Sequence, residues 1–510
     1  MKKIIYCCVL IGLLTKVQAQ HVTITPAGIT PVISHPRISY DAILALPSPQ
    51  EGDLAYDTTF KCLRIYANGK WLCSYQNPNN YTPNLTPLVS IKGSLFDSTP
   101  SIAVDGSGNF YVVGMYSGSV TFGATTLTSS GHSDIFIAKY NKAGVVQWAQ
   151  SAGGTAGEYG SDIAVDASGN IYITGGFSGT ATFGTSSITS GGNNDVFIAG
   201  YTNNGVLLWV QQVGGAGDAM GTSIAIDESN NVYVTGNYAN TATFGATSIT
   251  SQSFTYDIFI AKYDSNGAFD WVQSAGGGGN ESGSGIGIDN SGNVYVTGYF
   301  TGMATFGEIQ KTSNGGGDIF FTKYDNNGNF QWVQTAGASD YDIGQNLAID
   351  GDGNIYITGT FFGTITFGTT SIASQGGRDF FITKYDGNGN IIWVKSAGGT
   401  STEGSVGIAV DDTGVYITGH YSSTVSFSSK IITPESYEYD ILIAKYNKST
   451  GNFIWVQTAG GTERDEGTDI AVDTTGNVYV VGNYRGTAKF GQTSKTAQAD
   501  KDIFVVRLDQ

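Results

Sequence analysis

Acidic residues recur at a fixed distance before a segment that is repeated along this sequence, and they could carry out chemistry there. In six places an Asp or Glu lies eight residues before the aspartate of an Ile-Ala-Val-Asp type segment, and in a seventh it lies nine residues before. Carboxylates that meet at one mouth could bind calcium or a cationic segment, and a pair about 5–10 Å apart could cleave a glycosidic bond. The alternative is that these acids cap backbone turns or solvate a rim. The seven acids are Asp97, Glu158, Asp218, Glu281, Asp342, Glu403 and Asp465.

A second recurring position changes its residue type from copy to copy. It lies between a recurring glycine and an aromatic residue, at the end of a predicted strand. Because loops on a rigid scaffold collect binding residues, a position that varies while its neighbours repeat is a candidate contact site. It holds Met115, Gly176, Asn237, Tyr299, Thr360, His420 and Asn483.

Motifs for nucleophilic catalysis and metal binding are missing from the sequence. The histidines His21, His35, His132 and His420 neither recur nor stand beside a nucleophile, so we interpret them as loop residues and assign no catalytic residue. Asp-x-x-Gly-Asn segments such as Asp350–Asn354 resemble part of a calcium loop, but an EF-type loop needs a later bidentate Glu. We interpret them as Asx turns. No metal ligand and no cofactor are assigned, and calcium at the acidic ring is the alternative.

These residues belong to a unit of 61 or 62 residues that occurs seven times. Each copy contains four short apolar runs bounded by Gly, Asn or Asp, which we interpret as strands a, b, c and d. Strands b and c are apolar at nearly every residue, so both faces of each sheet must be covered, and no helical periodicity is present. An all-β, seven-bladed β-propeller satisfies these conditions. The copies are marked by Ile102–Asp105, Ile163–Asp166, Ile224–Asp227, Ile286–Asp289, Leu347–Asp350, Ile408–Asp411 and Ile470–Asp473.

The ring is expected to close through a strand that precedes the first copy. The seventh copy stops in strand c, and Leu88–Gly93 should supply its strand d, with Leu88 in the place of a recurring tryptophan. That tryptophan occurs in the other six copies, at Trp148, Trp209, Trp271, Trp332, Trp393 and Trp455. An aspartate opens strand c in all seven copies and is interpreted as structural, at Asp134, Asp195, Asp257, Asp318, Asp379, Asp440 and Asp502.

The pattern G-G-x-x-x-E-x-G-x-x-I-A-V-D-x-x-G-N-x-Y-x-T-G, followed by D-x-F-I-A-K-Y, resembles the SBBP-type β-propeller repeat of exported bacterial proteins, over residues 88–510. This resemblance implies a propeller fold and no agreed activity. Asn447–Trp455 is similar to the tryptophan-docking motif of quinoprotein propellers, which implies that the tryptophans lock adjacent blades. Quinoproteins of that type have eight blades and vicinal cysteines, so a quinone cofactor is not expected in the mature chain.

The N-terminal residues differ from the repeats. Residues 1–19 have a basic start, an apolar stretch and small residues before a cleavage site, which predicts a secretory signal peptide. Residues 20–75 contain an Asn-Gly hairpin signal and predict a small β module, and the polar residues 76–87 predict a linker. Because export favours oxidation, we expect a disulfide between Cys62 and Cys73.

The overall charge narrows the function. The net charge is −17 and only 13% of residues are charged, which disfavours nucleic acid and anionic membranes as partners. No later stretch has the ~18 apolar residues needed to span a bilayer. We expect a monomeric, non-catalytic binding or scaffold propeller in the envelope or outside the cell, which holds a protein, peptide or glycan on its loop face. The alternative is a polysaccharide-active hydrolase or lyase, which would require one or two blades to depart from the repeat.

Overall fold

The computed structural model describes residues 83–93 and 99–508, and it gives the backbone of six short strands before them. The chain divides into two compact units, residues 1–83 with residue 510, and residues 84–509. No α-helix forms among the described residues, and none of them could therefore cross a lipid bilayer as a helix.

The first unit contains two small β-sheets. Thr23–Thr25 pairs with Gly28–Thr30. A second sheet has the order Arg37–Ile38, Leu54–Asp57, Cys62–Ala67, Lys70–Cys73. Ala67 lies opposite Lys70, so these two strands are antiparallel neighbours on either side of the Asn-Gly pair. The signal peptide, the linker up to residue 82, and the side chains of Cys62 and Cys73 lie outside the described residues, so these expectations stay predictions.

The second unit is a seven-bladed β-propeller, as the repeats predicted. Each blade is an antiparallel sheet of strands a to d. Strand a comprises Ser101–Val104, Glu158–Val165, Ala219–Ile226, Ser282–Ile288, Ile343–Ile349, Gly404–Val410 and Glu466–Val472. Strand b comprises Phe110–Tyr116, Ile171–Phe177, Val232–Ala239, Val294–Phe300, Ile355–Phe361, Val415–Tyr421 and Val478–Tyr484.

The outer two strands complete each blade. Strand c comprises Asp134–Tyr140, Asp195–Tyr201, Tyr256–Tyr263, Asp318–Tyr324, Asp379–Tyr385, Asp440–Tyr446 and Asp502–Leu508. Strand d comprises Val146–Gly154, Leu207–Val213, Phe269–Gly277, Phe330–Ala336, Ile391–Ala397, Phe453–Gly461 and, for blade 7, Leu85–Gly93.

The core lies between blades rather than inside them. Every residue of Ile171–Phe177 and of Asp195–Tyr201 is buried, because the neighbouring blades cover both faces of the sheet. Each hydrophobic cluster accordingly combines side chains of consecutive blades, such as Tyr356 of blade 5 with Leu442 of blade 6. This is why strands b and c lack a polar alternation.

A short hairpin connects strand b to strand c in every blade. In blade 2 its first strand, Thr180–Phe183, pairs with the end of strand d of blade 1, where Gly154 lies opposite Ala181. Blades 1, 4 and 7 bond to the preceding blade in the same way. The hairpins are Ser119–Phe122 with Thr125–Thr128, Thr180–Phe183 with Ser186–Thr189, Thr241–Phe244 with Thr247–Thr250, Met303–Phe306 with Ile309–Thr312, Thr364–Phe367 with Thr370–Ala373, Val425–Phe427 with Lys430–Ile432, and Thr487–Phe490 with Thr493–Thr496.

The closure of the ring follows the prediction, with a longer strand. Leu85–Gly93 pairs with Asp502–Leu508, so that Ile91 lies opposite Ile503. The strand begins at Leu85, inside the segment predicted as linker. Leu88 lies against Gly144, and a Cβ on that glycine would be 3.1 Å from Leu88 Cβ. In blades 2 to 6 the matching turn glycine faces the tryptophan of the blade before it, as Gly205 faces Trp148.

The tryptophans join adjacent blades, as the resemblance implied. The indole N–H of Trp148 donates to the carbonyl of Asn203 in the next blade (3.1 Å), and Trp209 does the same to Ser265 (3.0 Å). Trp393 and Trp455 are buried, whereas Trp271 is only partly buried. Their contributions to stability should therefore differ.

Replacement of Trp393 by Ala should lower the free energy of unfolding by about 3–5 kcal/mol. The side chain is only 8% exposed, so its removal leaves a cavity between blades 5 and 6. The matched Trp271→Ala change should cost clearly less, since part of that ring already contacts solvent. Urea denaturation of both variants measures the difference. A Trp393→Ala loss below about 1 kcal/mol would contradict a docking role.

Candidate functional site

The propeller has two faces with different loop chemistry. On one face, the a-to-b and c-to-d turns meet, as where the Asn203 side chain donates to the Ser168 carbonyl (3.3 Å). On the other, the d-to-a and b-to-c loops meet, as where the Glu158 N–H donates to the Ser133 carbonyl (3.1 Å). We name the first the turn face and the second the variable face.

The turn face is built from repeated Asx turns. Asp350 Oδ1 accepts from the N–H groups of Asp352 (3.0 Å) and Asn354 (2.9 Å), and its Oδ2 accepts from the Tyr356 hydroxyl (2.9 Å). Burial raises the pKa of Asp350, but these hydrogen bonds outweigh it and leave the pKa below the usual value. The predicted Asx turn is confirmed. Within residues 83–93 and 99–508, no group of three or more His, Cys, Asp or Glu side chains is arranged to hold a metal.

The acids predicted as an exposed ring are placed differently. Five of them are fully buried. Four accept a hydrogen bond from a backbone N–H of their own loop, and Asp465 Oδ1 accepts from the Arg485 N–H of the adjacent b-to-c loop. Gly154 N–H donates to Glu158 Oε2 (3.0 Å), and Ala338 N–H donates to Asp342 Oδ2 (2.6 Å). The five buried acids are Glu158, Glu281, Asp342, Glu403 and Asp465. Asp97 lies outside the described residues.

Each buried acid lies beside the aspartate that opens strand c of the preceding blade. A Cβ placed on Gly460 would be 2.3 Å from Asp440 Oδ1 and 3.1 Å from Asp465 Oδ2, and neither oxygen has a hydrogen-bond partner. Burial, and to a smaller extent the neighbouring carboxylate, raises the pKa of Asp465 to about 7 and that of Glu158 to about 7. These groups are therefore carboxyl pairs inside blade junctions, and mutual repulsion is the lesser cause of their raised pKa values.

The variable positions lie on strand b opposite the first residues of strand a. Asn237 lies opposite Met220, Tyr299 opposite Ser282, and Asn483 opposite Glu466. Asn483 is buried, and Met115 of blade 1 is partly buried. Gly176 and Thr360 hold the same position in blades 2 and 5, opposite Tyr159 and Ile343.

His420 belongs to a cluster at the junction of blades 6 and 7. Its ring packs on Tyr439 with centroids 4.4 Å apart, and its Nδ1 lies 4.0 Å from Glu466 Oε1. Arg464 lies over the same tyrosine, 4.8 Å from the ring centroid, and donates to Glu466 Oε1 (2.6 Å). Burial holds the pKa of His420 below its usual value. The histidine is thus packed against Tyr439 at the blade junction.

A cavity of about 310 Å³ opens on the variable face between blades 2 and 3. Its lining residues come from both blades: Tyr159, Asn194, Asp218, Ala219, Met220, Asn237 and Tyr256. Asp218 is the acid whose spacing is nine residues instead of eight, and Ala219 takes the place that a buried acid has elsewhere. This irregularity leaves Asp218 partly exposed, at the cavity.

Hydrogen bonds position the polar side chains of the cavity. The Tyr256 hydroxyl donates to Asp218 Oδ2 (3.2 Å), and the Asn194 N–H donates to Asp218 Oδ1 (3.3 Å). The Tyr159 hydroxyl donates to Asn194 Oδ1 (3.2 Å), and Asn237 Nδ2 donates to Ser282 Oγ (3.1 Å). Burial and the Asp218 carboxylate together raise the pKa of Tyr256.

A second asymmetric cluster, which was not predicted from the sequence, lies where strands a surround the channel. The Ser101 hydroxyl lies 2.8 Å from Asp162 Oδ1 and 2.7 Å from Asp469 Oδ2, and Asp162 Oδ2 accepts from Ser223 (2.8 Å). Backbone N–H groups of Ile102 and Ile224 satisfy the same carboxylates. This cluster links blades 7, 1, 2 and 3. Its only sequence signal is an Asp four residues before the Asp that ends the repeat motif of blades 2 and 7, at a position where the other blades have Ser, Asn or Gly.

The geometry bears on the alternative of glycoside hydrolysis. Such an enzyme requires two carboxyl groups that flank a substrate bond, about 5–10 Å apart at an accessible surface. The carboxyl pairs described above are covered by loop backbone, and Asp218 is the single partly exposed acid among the described members of the predicted ring.

The architecture and the recurring motifs define a repeat propeller whose variation is concentrated on one face. The SBBP beta-propeller repeat matches residues 208–237, 331–360 and 454–483. The chain is therefore a β-propeller protein that carries the SBBP repeat, as the sequence resemblance indicated.

Two curated proteins are similar to this chain. An uncharacterized WD repeat-containing protein, L264, of Acanthamoeba polyphaga mimivirus is 27% identical, over 75% of this chain and 35% of that protein. The regulatory protein FlaEY of Caulobacter vibrioides is 25% identical, over 74% of this chain and 42% of that protein. The chain thus spans well under half the length of these relatives.

A solved structure, the quinohemoprotein alcohol dehydrogenase of Comamonas testosteroni, is 11% identical, with a TM-score of 0.41, over 86% of this chain and 78% of that one. At this level of similarity the comparison carries no argument about function.

Proposed function

We propose that this protein is a non-catalytic binding propeller that holds a partner on its variable face. The observation that carries the proposal is the difference between the two faces. The turn face repeats the same Asx turns, whereas the variable face holds the cavity between blades 2 and 3 and aromatic side chains that do not repeat. Tyrosine, methionine and arginine are enriched at interfaces, and all three types occur on the variable face.

Two loops of the variable face add exposed rings. The b-to-c loops of blades 3 and 6 are longer than those of the other blades, and they expose Phe254 (86%) and Tyr437 (99%). Phe254 and the preceding Ser253 both have positive φ, at 61° and 56°. Backbone strain of this kind in a non-glycine residue clusters at ligand-contacting sites. These loops support a surface that contacts a macromolecule.

The proposed partner is a protein, peptide or glycan in the cell envelope or outside the cell. The predicted signal peptide supports export, and the net charge of −17 disfavours polyanionic partners. A hydrolase or lyase is less well supported, because the carboxyl pairs that could cleave a polysaccharide are buried.

Arrays of short peptides and of glycans, probed with the labelled full chain, test the proposal. Members that bind the wild type should bind Tyr256→Ala at least tenfold more weakly, since this change removes a partly exposed ring from the cavity. Asn388→Ala, in an exposed turn of the opposite face, serves as the matched control and should bind as the wild type does. The proposal fails if no array member binds, or if only the turn-face variant loses binding.

A further inference from the structure

We infer that the cavity between blades 2 and 3 binds the cationic side chain of a peptide, an arginine or lysine whose charged group meets Asp218. This inference rests on the proposed function and names the chemistry of its ligand. Three observations carry it: the unpaired charge of the cavity, the hydrogen-bonding character of its lining, and its size.

The cavity carries one negative charge and no positive one. None of its seven lining residues is cationic, and Asp218 forms no ion pair with another described residue. The equivalent loop of blade 5 differs, because Asp340 there is 3.6 Å from Arg378 Nη2. A carboxylate that nothing in the fold neutralises favours a cationic ligand.

The lining presents acceptors more than donors. The hydroxyl protons of Tyr159 and Tyr256, and one of the two amide protons of Asn237, are already donated to Asn194, Asp218 and Ser282. Each Asp218 oxygen accepts one hydrogen bond, so each keeps capacity for another. Guanidinium and ammonium groups only donate, whereas sugar hydroxyls both donate and accept. The side-chain amide of Asn194 and the second amide proton of Asn237 are the remaining side-chain donors, so a saccharide would find few partners for its oxygens.

The shape and the apolar surface fit the stem of such a side chain. A cavity of about 310 Å³ accommodates one long side chain rather than a folded element. Tyr159, Tyr256 and Met220 supply the surface for its methylene groups, and the faces of the aromatic rings also attract a cation. The apolar stem of the ligand side chain therefore matches the aromatic and methionine surface of the cavity, and its charged tip matches Asp218.

The test compares an acetylated, amidated pentapeptide, Gly-Gly-Arg-Gly-Gly, with its neutral citrulline counterpart, by saturation-transfer NMR titration against the full chain. The arginine peptide should bind at least tenfold more tightly than the citrulline peptide, and its affinity should fall as salt increases. Asp218→Asn should abolish this preference. Asp340→Asn, a change in the matched loop whose aspartate is already paired, should preserve it.

Equal binding of the two peptides, no saturation by either, or an unchanged preference in Asp218→Asn would overturn the inference. Tighter binding of methyl mannoside or N-acetylglucosamine at the same residues would overturn it as well. The peptide comparison uses the wild-type chain, so it decides the matter even if Asp218→Asn folds poorly. If only this inference fails, at least one array member still binds the wild type and binds Tyr256→Ala more weakly. If the broader proposal fails, no array member binds the wild type.

Discussion

A chain that lacks residues 84–93 should fail to form a stable monomeric propeller. This deletion removes strand d of blade 7 and leaves the buried strand Asp502–Leu508 with an open edge, which is a template for pairing with another chain. The hairpin Ser119–Thr128 of blade 1 would lose its partner as well. Size-exclusion chromatography with light scattering, together with thermal melting, measures the outcome.

A single substitution separates ring closure from the loss of chain length. Ile91→Asp places a charge at a position 1% exposed in the closing strand, and it should destabilise the propeller by several kcal/mol. Removal of residues 20–75, which belong to the other compact unit, is the control and should leave the propeller melting point unchanged. A monomeric 84–93 deletion with an unchanged melting point would contradict closure by this strand.

The propeller should lose stability as the pH rises from about 5 to 8.5. Burial raises the pKa values of Glu281 and Glu403 to about 7 from the ordinary 4.5, and that of Asp342 to about 6 from 3.8. The folded state then keeps protons that the unfolded chain has released. The stabilisation is complete below about pH 4, and it is lost as the pH rises through 6 to 7. Each pair should contribute roughly 2 kcal/mol, so five described pairs give a large decrease.

Urea denaturation at pH 5, 7 and 8.5 measures this decrease. Glu281→Gln keeps the shape and the acceptor oxygen for Gly277 N–H but cannot ionise, so the variant should gain stability relative to the wild type at pH 8.5 and show a smaller pH dependence. Glu228→Gln, at an exposed position, is the control and should change neither quantity. A stability that is constant or rises across this range would show that the pairs are ionised and otherwise stabilised.

The repeats predicted the fold because periodicity alone determines a ring of equal blades. The strand count and the closing strand follow from positions that recur in register, and the role of the tryptophans was implied by the resemblance to a tryptophan-docking motif. The start of the closing strand at Leu85 was not predictable. Residues 85–87 have the composition of a linker, and only their pairing with the end of strand c of blade 7 makes them part of a strand.

The acids show why recurrence alone does not predict exposure. A loop position is visible in the sequence, but the direction of its side chain depends on the space beside it. A Cβ on Gly153 would lie 2.6 Å from Asp134 Cγ and 2.8 Å from Glu158 Oε2, so the absence of a side chain there allows the carboxyl groups to enter. The available signal was a Gly-Gly pair, or Gly-Ala in blade 5, followed four residues later by an acid. The cavity was not predictable, because it is lined by Tyr159 of blade 2 and Tyr256 of blade 3, and no local sequence pattern connects these two residues.

The position of the closing strand also determines how the propeller would respond to mechanical force. Leu85 lies directly opposite Leu508, so traction applied to these two residues loads the first hydrogen-bonded pair of the sheet alone. The bonds of blade 7 would then break one after another, as in unzipping, instead of resisting together as in shear. A propeller held from both of these points would therefore open under small loads.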